Sequence, residues 1–369
     1  MRKITIFFLI SVVFLTFVPE MSQKVLFTEN LQHDLTQAVE EVGADRLFVL
    51  ADEITAEKCW GRICHYDIFR NAHIITIPAG DTNKNIESTN HVWTELSQHG
   101  ATRHSMMVNI GGGMVTDLGG FAASTFKRGI EFINIPTTLL AMVDASVGGK
   151  TGFNLGGLKN EIGVFRDART VIIDTEFLRT LDDENMRSGY AEMLKHSLLA
   201  DEKMWARHVT FDITEPDLKV LQEMVRESVA VKERIVTEDP HEKGLRKALN
   251  LGHTAGHALE TWCMRRQPVL HGYAVAWGLV AELYLSAIKT DFPRDKFRQT
   301  EQFIRTYYGV APTSCKDTAE LLELMTHDKK NTAGEINFTL LGGIGDIRIN
   351  QKATEKEIEE SLDYASNPL

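Results

Sequence analysis

The sequence predicts an α/β, Rossmann-like N-terminal domain followed by a mainly α-helical C-terminal domain. Three observations lead there. From Met21 to about Arg166, short β-branched apolar runs alternate with polar, helix-like segments, the pattern of a parallel sheet with helices on its faces. After about Asp174 long helical periodicity takes over. At 369 residues the chain also exceeds the size at which one hydrophobic core stops growing, so two domains with a cleft between them are expected. The division read from the pattern is an apolar extension at 1–20, an α/β nucleotide-binding domain at 21–173 and a helical domain at 174–369.

The extension, MRKITIFFLISVVFLTFVPE, has a basic start and an apolar run from Ile4 to Val18, as a signal peptide or short anchor has. Val18-Pro19-Glu20 stands where a small-residue cleavage site is needed, and the run is short for a spanning helix. Met21 opens an ordinary cytosolic start, MSQKVLF, and a cytoplasmic protein beginning there is the expectation, with a genuine targeting segment as the alternative.

Strands are expected at Arg46–Leu50, Ala72–Ile77, Met106–Ile110 and Glu131–Ile135, with helices at Asn30–Val42 and Ile86–His99. Glycine-rich turns then fall at strand C-termini, where such sheets bind ligands. The second half predicts helices at Glu184–Leu199, Pro216–Val236, Leu249–Trp262, Ala274–Lys289 and Arg294–Tyr308. A late strand pair is expected around Ile336–Leu341 and the glycines that follow it.

Hydrophobic residues at 43% and charged ones at 25% fit an ordinary globular protein. A net charge of -11 argues against nucleic acid or an anionic membrane as partner, since both need a basic surface. It leaves room for a small anionic substrate in a local basic pocket. Cys59, Cys64, Cys263 and Cys315 are too few for a disulfide scaffold and read as free thiols in a reducing compartment.

Between Gly111 and Gly163, turn glycines, short hydroxyls and charged residues are interleaved with apolar runs too short to form a core. Asp117, Arg128, Thr137, Thr138, Asp144, Lys150, Lys159 and Asn160 all lie there, the composition of a nucleotide and anion site. Metal-ligand candidates sit in the helical half. In LNLGHTAGHALE, His253 and His257 lie one helical turn apart, His271 follows in LHGYAVAWG, and Glu192 in GYAEMLKH offers a carboxylate. Neutral imidazoles plus one carboxylate suit a catalytic zinc site. His196 lies one turn from Glu192, so spacing alone does not choose the ligands.

The runs GGGMVTDLGGFAA, RGIEFINIPTTLLAMVDASVGGKTGFN, LKNEIGVF, LRTL, GYAEMLKH, KALNLGHTAGHALE and HGYAVAWG occur in that order. Together they resemble the 3-dehydroquinate synthase family of sugar-phosphate cyclases, over almost everything after Met21. The resemblance implies conversion of 3-deoxy-arabino-heptulosonate 7-phosphate to 3-dehydroquinate in the shikimate pathway, with NAD and a divalent metal, zinc or cobalt. The C5 hydroxyl would be oxidised transiently, phosphate eliminated, the ketone reduced, and the ring opened and closed by aldol addition. A homodimer is implied as well.

By the same resemblance, Glu192, His253 and His271 are the metal ligands, and His257 is an active-site histidine beside them. Asp52, Asp81, Lys84, Gly112, Gly113, Met114, Asp117, Thr137, Thr138, Lys159, Phe177 and Thr180 are implied at the cofactor. Arg128, Lys150, Lys195, Lys232, Arg246 and Asn250 match anion-holding and hydrogen-bonding positions, with Lys329 or Lys330 adding another. Asp144 matches a substrate hydroxyl contact, Asn160 a further substrate contact and Glu242 an active-site acid. The chain departs from the family at Gly80-Asp81-Thr82-Asn83-Lys84, where a Gly-Glu-x-x-Lys run is usual, and at the Gly156-Gly157 turn.

Overall fold

The computed structural model describes residues 23–156, 158–326 and 336–367; the apolar extension, Gly157 and the Lys329–Lys330 pair lie outside them. Eight strands occupy the first half: β1 (Lys24–Phe27), β2 (Leu47–Asp52), β3 (His73–Ile77), β4 (Met106–Gly111), β5 (Glu131–Pro136), β6 (Lys150–Leu155), β7 (Leu158–Phe165) and β8 (Thr170–Ile173). Six of them form one sheet in the order β1-β8-β5-β4-β2-β3, every neighbouring pair parallel. Every residue of β4, MMVNIG, is buried, because a parallel strand covered on both faces needs a continuous apolar run. β6 and β7 stand apart as an antiparallel hairpin.

Helices α1 (Leu31–Glu40), α2 (Glu53–Lys58), α3 (Ile86–Gln98) and α4 (Gly113–Thr125) join the strands. Asn30, Asp52 and Asn85 start the first three by accepting a hydrogen bond from the backbone N–H three residues on. α4 packs against β4, β5 and β6. After β5 the chain makes one π-helical turn at Ala141–Ala145, a form that recurs at functional sites.

The second half holds α5 (Asp183–Ala200), α6 (Glu202–Val209), α7 (Leu218–Glu238), α8 (His253–Met264), α9 (His271–Lys289), α10 (Arg294–Tyr308), α11 (Thr318–Thr326) and α12 (Glu355–Ser366). An antiparallel pair, β9 (Phe338–Gly343) and β10 (Asp346–Gln351), lies between the last two helices in sequence. α9 is apolar nearly all round because it is the central helix, packed on α5, α8, α10, α12 and β9. Its glycines set how close the neighbours come. A Cβ at Gly272 would fall 1.9 Å from the Ser188 carbonyl oxygen, and one at Gly278 2.0 Å from that of Gly252.

The expected strands and helices appear within a few residues, with one correction. The helix expected over Leu249–Trp262 is broken. A 3₁₀ turn runs from Leu245 to Asn250, Gly252 takes the left-handed conformation at φ 78°, and α8 begins afresh at His253. The periodicity of LNLGHTAGHALE does not reveal that break, which lets Arg246 and Asn250 face the site from a segment separate from α8. β1, β8 and the β6–β7 hairpin were not anticipated as strands.

Candidate active site

The glycine-rich turns do fall at the C-terminal ends of the parallel strands. Gly111 ends β4, and Gly112 opens α4 without a side-chain acceptor of its own, leaving the first-turn backbone N–H groups of a 13-residue helix for a ligand. Space is tight here: a Cβ on Gly112 would lie 3.0 Å from Thr138 Cγ2, and one on Gly113 3.1 Å from the Ala145 methyl, so either neighbour would have to shift by a few tenths of an ångström. Such a cradle, followed directly by Met114 in the same turn, fits a dinucleotide pyrophosphate. Thr137 N–H donates to the Gly111 carbonyl at 2.9 Å, tying the ends of β4 and β5, and Thr138 Oγ1 accepts from Ala141 N–H at 3.2 Å.

Asp52, at the end of β2, is committed to capping α2. Lys84 is buried; its Nζ donates to Asp117 Oδ2 at 2.5 Å and also to Asn160. Burial pushes the Asp117 carboxyl up, and Lys84 only partly offsets it. Asp81 sits in a 3₁₀ turn opened by Gly80 at φ 95°, and its Oδ2 lies 3.3 Å from Lys159 Nζ. The shorter carboxylate therefore still reaches a cation of the site. Phe177 is buried with the Arg62 guanidinium 4.6 Å over its ring, and Thr180 Oγ1 donates back to the Phe177 carbonyl at 3.1 Å.

Glu192 is fully buried on α5, and its Oε1 lies 3.3 Å from Nε2 of both His253 and His271. Neither of its oxygens meets a donor in good hydrogen-bond geometry, although Lys195 forms a close ion pair with Oε2. The other ring nitrogens are engaged: His253 Nδ1 with the Leu251 carbonyl at 3.1 Å, His271 Nδ1 with Glu260 Oε2 at 3.1 Å. Both rings thus turn Nε2 inward toward one orphaned carboxylate oxygen, a donor set that fits a divalent metal with an open coordination position. Burial, with Lys195 and the two histidines acting against it, leaves the Glu192 carboxyl held well below the usual range. Burial and Lys195 lower His253 to about 3, so it is neutral and ready to ligate at neutral pH.

Among the described residues, three groupings at this site bring ligand atoms within 4.8 Å of one another: Glu192 with His253 and His271, His257 with Glu260 and His271, and Asp144 with Glu192 and His196. His196 turns Nδ1 to Ser228 Oγ at 2.7 Å, although one ring nitrogen remains within 4.8 Å of Glu192 and Asp144 oxygens. His257 stands beside the cluster, its ring centroid 5.2 Å from that of His253 and 5.9 Å from that of His271.

Of the anion-binding candidates, Lys150, Lys195, Lys232, Arg246 and Asn250 come together around this centre. Lys232 on α7 donates to the Asp144 carboxylate at 2.5 Å, joining the π turn to the helical half. Burial lowers Lys232, Asp144 raises it, and the net shift is downward. Lys150 Nζ donates to Glu242 Oε2 at 2.5 Å, and Asn250 Nδ2 to Glu242 Oε1 at 2.9 Å. Arg246 is buried, bonding the Gly148 carbonyl at 3.0 Å and the Pro240 carbonyl at 2.7 Å, and Lys195 Nζ donates to the Leu249 carbonyl at 2.9 Å. Arg128 is exposed in a left-handed conformation at φ 71°. Asn160, expected on the substrate, lies against Lys84 beside the cofactor turn. Lys330 falls outside the described residues.

Two further residues were missed. Glu260, buried on α8, bonds both His271 and Lys159; its place seven residues after His253 and three after His257, on one helix face, was a signal that could have found it. Glu282 on α9 accepts from the backbone N–H groups of Gly252 at 2.7 Å, Thr254 at 2.9 Å and Ala255 at 3.1 Å. It caps α8 from another helix, and nothing local in the sequence signals that.

A parallel sheet with a glycine cradle at the C-terminal end of β4 and a buried carboxylate–histidine cluster in the helical half is the arrangement of the sugar-phosphate cyclase class of enzymes. The 3-dehydroquinate synthase N-terminal family description matches residues 74–188 and its C-terminal counterpart residues 189–331. A 3-dehydroquinate synthase of Parabacteroides distasonis is 52% identical, covering 93% of this chain and 97% of its own. Among solved structures, a 2-epi-5-epi-valiolone synthase from Streptomyces hygroscopicus with NAD+ and Zn2+ bound superposes with TM-score 0.81 at 25% identity, over 93% of this chain and 96% of its own. A 2-deoxy-scyllo-inosose synthase complexed with carbaglucose-6-phosphate, NAD+ and Co2+ shares the fold, with TM-score 0.82 at 22% identity over 92% of this chain and 96% of its own. The chain belongs to the 3-dehydroquinate synthase family.

Proposed function

We propose that the chain converts 3-deoxy-arabino-heptulosonate 7-phosphate to 3-dehydroquinate and phosphate, using NAD regenerated in each turnover and a divalent ion, zinc or cobalt. The observation that carries this reading is the orphaned Glu192 carboxylate under two inward-facing imidazoles, ringed by Lys150, Lys195, Lys232 and Arg246. When bound, the nicotinamide accepts and returns the hydride, and the metal stabilises negative charge developing on substrate oxygen.

Glu192, His253 and His271 would hold the ion. Gly112, Gly113 and Met114 would hold the pyrophosphate, with Asp81, Lys84, Asp117, Thr137, Thr138, Lys159 and Thr180 around the rest of the dinucleotide. Lys150, Lys232, Arg246 and Arg128 hold the carboxylate and phosphate of the substrate, the charge-assisted bonds that planar and ammonium cations make well. Asp144, Asn160, Asn250 and Glu242 orient hydroxyls, and His257 moves a proton at the metal edge. The substrate phosphate takes the proton from the neighbouring carbon as it departs, so the chain's main work in elimination is to hold conformation. Lys150, Lys195, Lys232 and Arg246 are each paired with a carboxylate or a carbonyl, which accounts for a basic site in a chain of net charge -11.

The enzyme would act as a homodimer in the cytoplasm, on a sugar phosphate, with neither nucleic acid nor membrane as partner. No helix of the described residues is long and apolar enough to cross a membrane.

The test is phosphate release from the heptulosonate phosphate with NAD far below substrate concentration. Multiple turnovers per NAD with no accumulation of NADH are expected. Stoichiometric NADH would instead mark a polyol dehydrogenase, and release only from a different sugar phosphate would mark a sister cyclase.

A further inference from the structure

Glu260 lies on α8, 4% exposed, between two residues from different parts of the chain. On one side its Oε2 accepts from His271 Nδ1 at 3.1 Å; on the other its Oε1 accepts from Lys159 Nζ at 2.6 Å. Lys159 is on β7, in the hairpin of the nucleotide-binding half, and the same ammonium is 3.3 Å from Asp81 in the turn after β3. An ionised carboxylate only accepts hydrogen bonds, so Nδ1 of His271 is the donor to Glu260, and Nε2 is the ring nitrogen left to face Glu192 Oε1, 3.3 Å away, and to ligate an ion there. The one carboxylate therefore settles which nitrogen of His271 is left to ligate and where the Lys159 ammonium stands.

We propose that Glu260 is a positioning residue serving both halves of the site, aiming His271 at the metal while anchoring Lys159 at the cofactor turn, so that metal and dinucleotide binding are linked through it. The inference rests on the assignment of Glu192, His253 and His271 as ligands. A carboxylate behind a ligating histidine fixes tautomer and ring orientation, and its loss typically costs about 10- to 100-fold in metal affinity. A contact shared between two ligand sites makes the coupling reciprocal: whatever factor the dinucleotide adds to metal affinity, the metal adds to dinucleotide affinity.

The experiment measures zinc affinity by chelator competition, without and with saturating NAD, and NAD affinity with and without zinc. It is run on the full chain and on Glu260→Ala, Glu260→Gln, Lys159→Met and His253→Ala, with melting of each metal-free protein as the folding control. In the parent, NAD is expected to tighten zinc. Glu260→Ala should weaken zinc about 10- to 100-fold and abolish the linkage. Glu260→Gln keeps an acceptor for His271 and loses the charge that holds Lys159, so most zinc affinity should survive while the linkage goes. Lys159→Met should leave zinc alone near its parent value and also lose the linkage. Parent-like zinc binding in both Glu260 variants, or a parent without linkage, would overturn the proposal. Full zinc occupancy in His253→Ala would instead overturn the ligand assignment beneath it.

Discussion

Backbone strain gathers on the residues that the sequence had already singled out. Among the described non-glycine residues, six have positive φ, and Arg128 at 71°, Asn160 at 50° and Glu242 at 56° are three of them. The left-handed region costs an L-residue about 1–2 kcal/mol, so its use by an arginine and a glutamate needs a return elsewhere. Arg128→Gly separates the two effects. It relieves about 1 kcal/mol of strain and adds a similar loss through the freer unfolded chain, so stability should change little. Turnover of the phosphate substrate should fall through a raised KM, read from phosphate-release kinetics beside a melting curve; a parent-like KM would show that the guanidinium does not touch substrate. Glu282 gives a second prediction at this scale. Glu282→Ala strips the acceptor from three buried N–H groups at the start of α8, and should cost about 3 kcal/mol of stability in urea unfolding of the metal-free protein. A loss under about 1 kcal/mol would mean that α8 has another cap.

The elements of the site are held by close backbone approach more than by side-chain packing. α8 carries His253, His257 and Glu260, and it lies against α9 where Gly278 faces the Gly252 carbonyl. A methyl there would be 2.0 Å from that oxygen, so Gly278→Ala must push α8 and α9 apart. We expect a loss of at least about 2 kcal/mol together with weaker metal binding, seen by calorimetry and chelator competition. A change in stability without any change in metal affinity would show that the spacing of α8 and α9 does not set the ligand geometry. The same scale shows where local reading stops. The break before α8 lies inside a run whose apolar spacing is helical throughout, and only the left-handed Gly252 and the Glu282 carboxylate impose it.

Across the whole molecule, pH acts on stability through buried neutral histidine. His208 on α6 is fully buried, its Nδ1 bonded to the Met204 carbonyl at 2.8 Å. Burial outweighs that bond and lowers its pKa from 6.5 to about 4. The folded value lies below the unfolded one, so between them the unfolded chain binds a proton that the native chain refuses, and stability falls as pH drops through that window. The full shift corresponds to about 3 kcal/mol. His208→Gln should flatten the pH 4 to 6.5 slope of unfolding free energy relative to the parent; an unchanged slope would assign acid sensitivity to other groups.

Local pattern in the sequence was enough for the long helices and for β2, β3, β4 and β5, because periods of two and of 3.6 residues are local properties, but not for β1, β8 or the β6–β7 hairpin. It also determined the chemical inventory of the site: the glycine cradle, the carboxylate, the imidazoles and the cations. Tertiary structure decided how that inventory is used. Lys159 and Glu260 are 101 residues apart and Lys232 and Asp144 88, and no local pattern couples residues at such separations. It turned Nε2 of His253 and of His271 toward one oxygen of Glu192 and Nδ1 of His196 toward Ser228, orientations that the one-turn spacings of His253 with His257 and of Glu192 with His196 do not contain. The physical reason is that a ligand set is fixed by what occupies the far side of each side chain. Here that is a backbone carbonyl, a buried carboxylate and a hydroxyl, each brought by a different element of the fold.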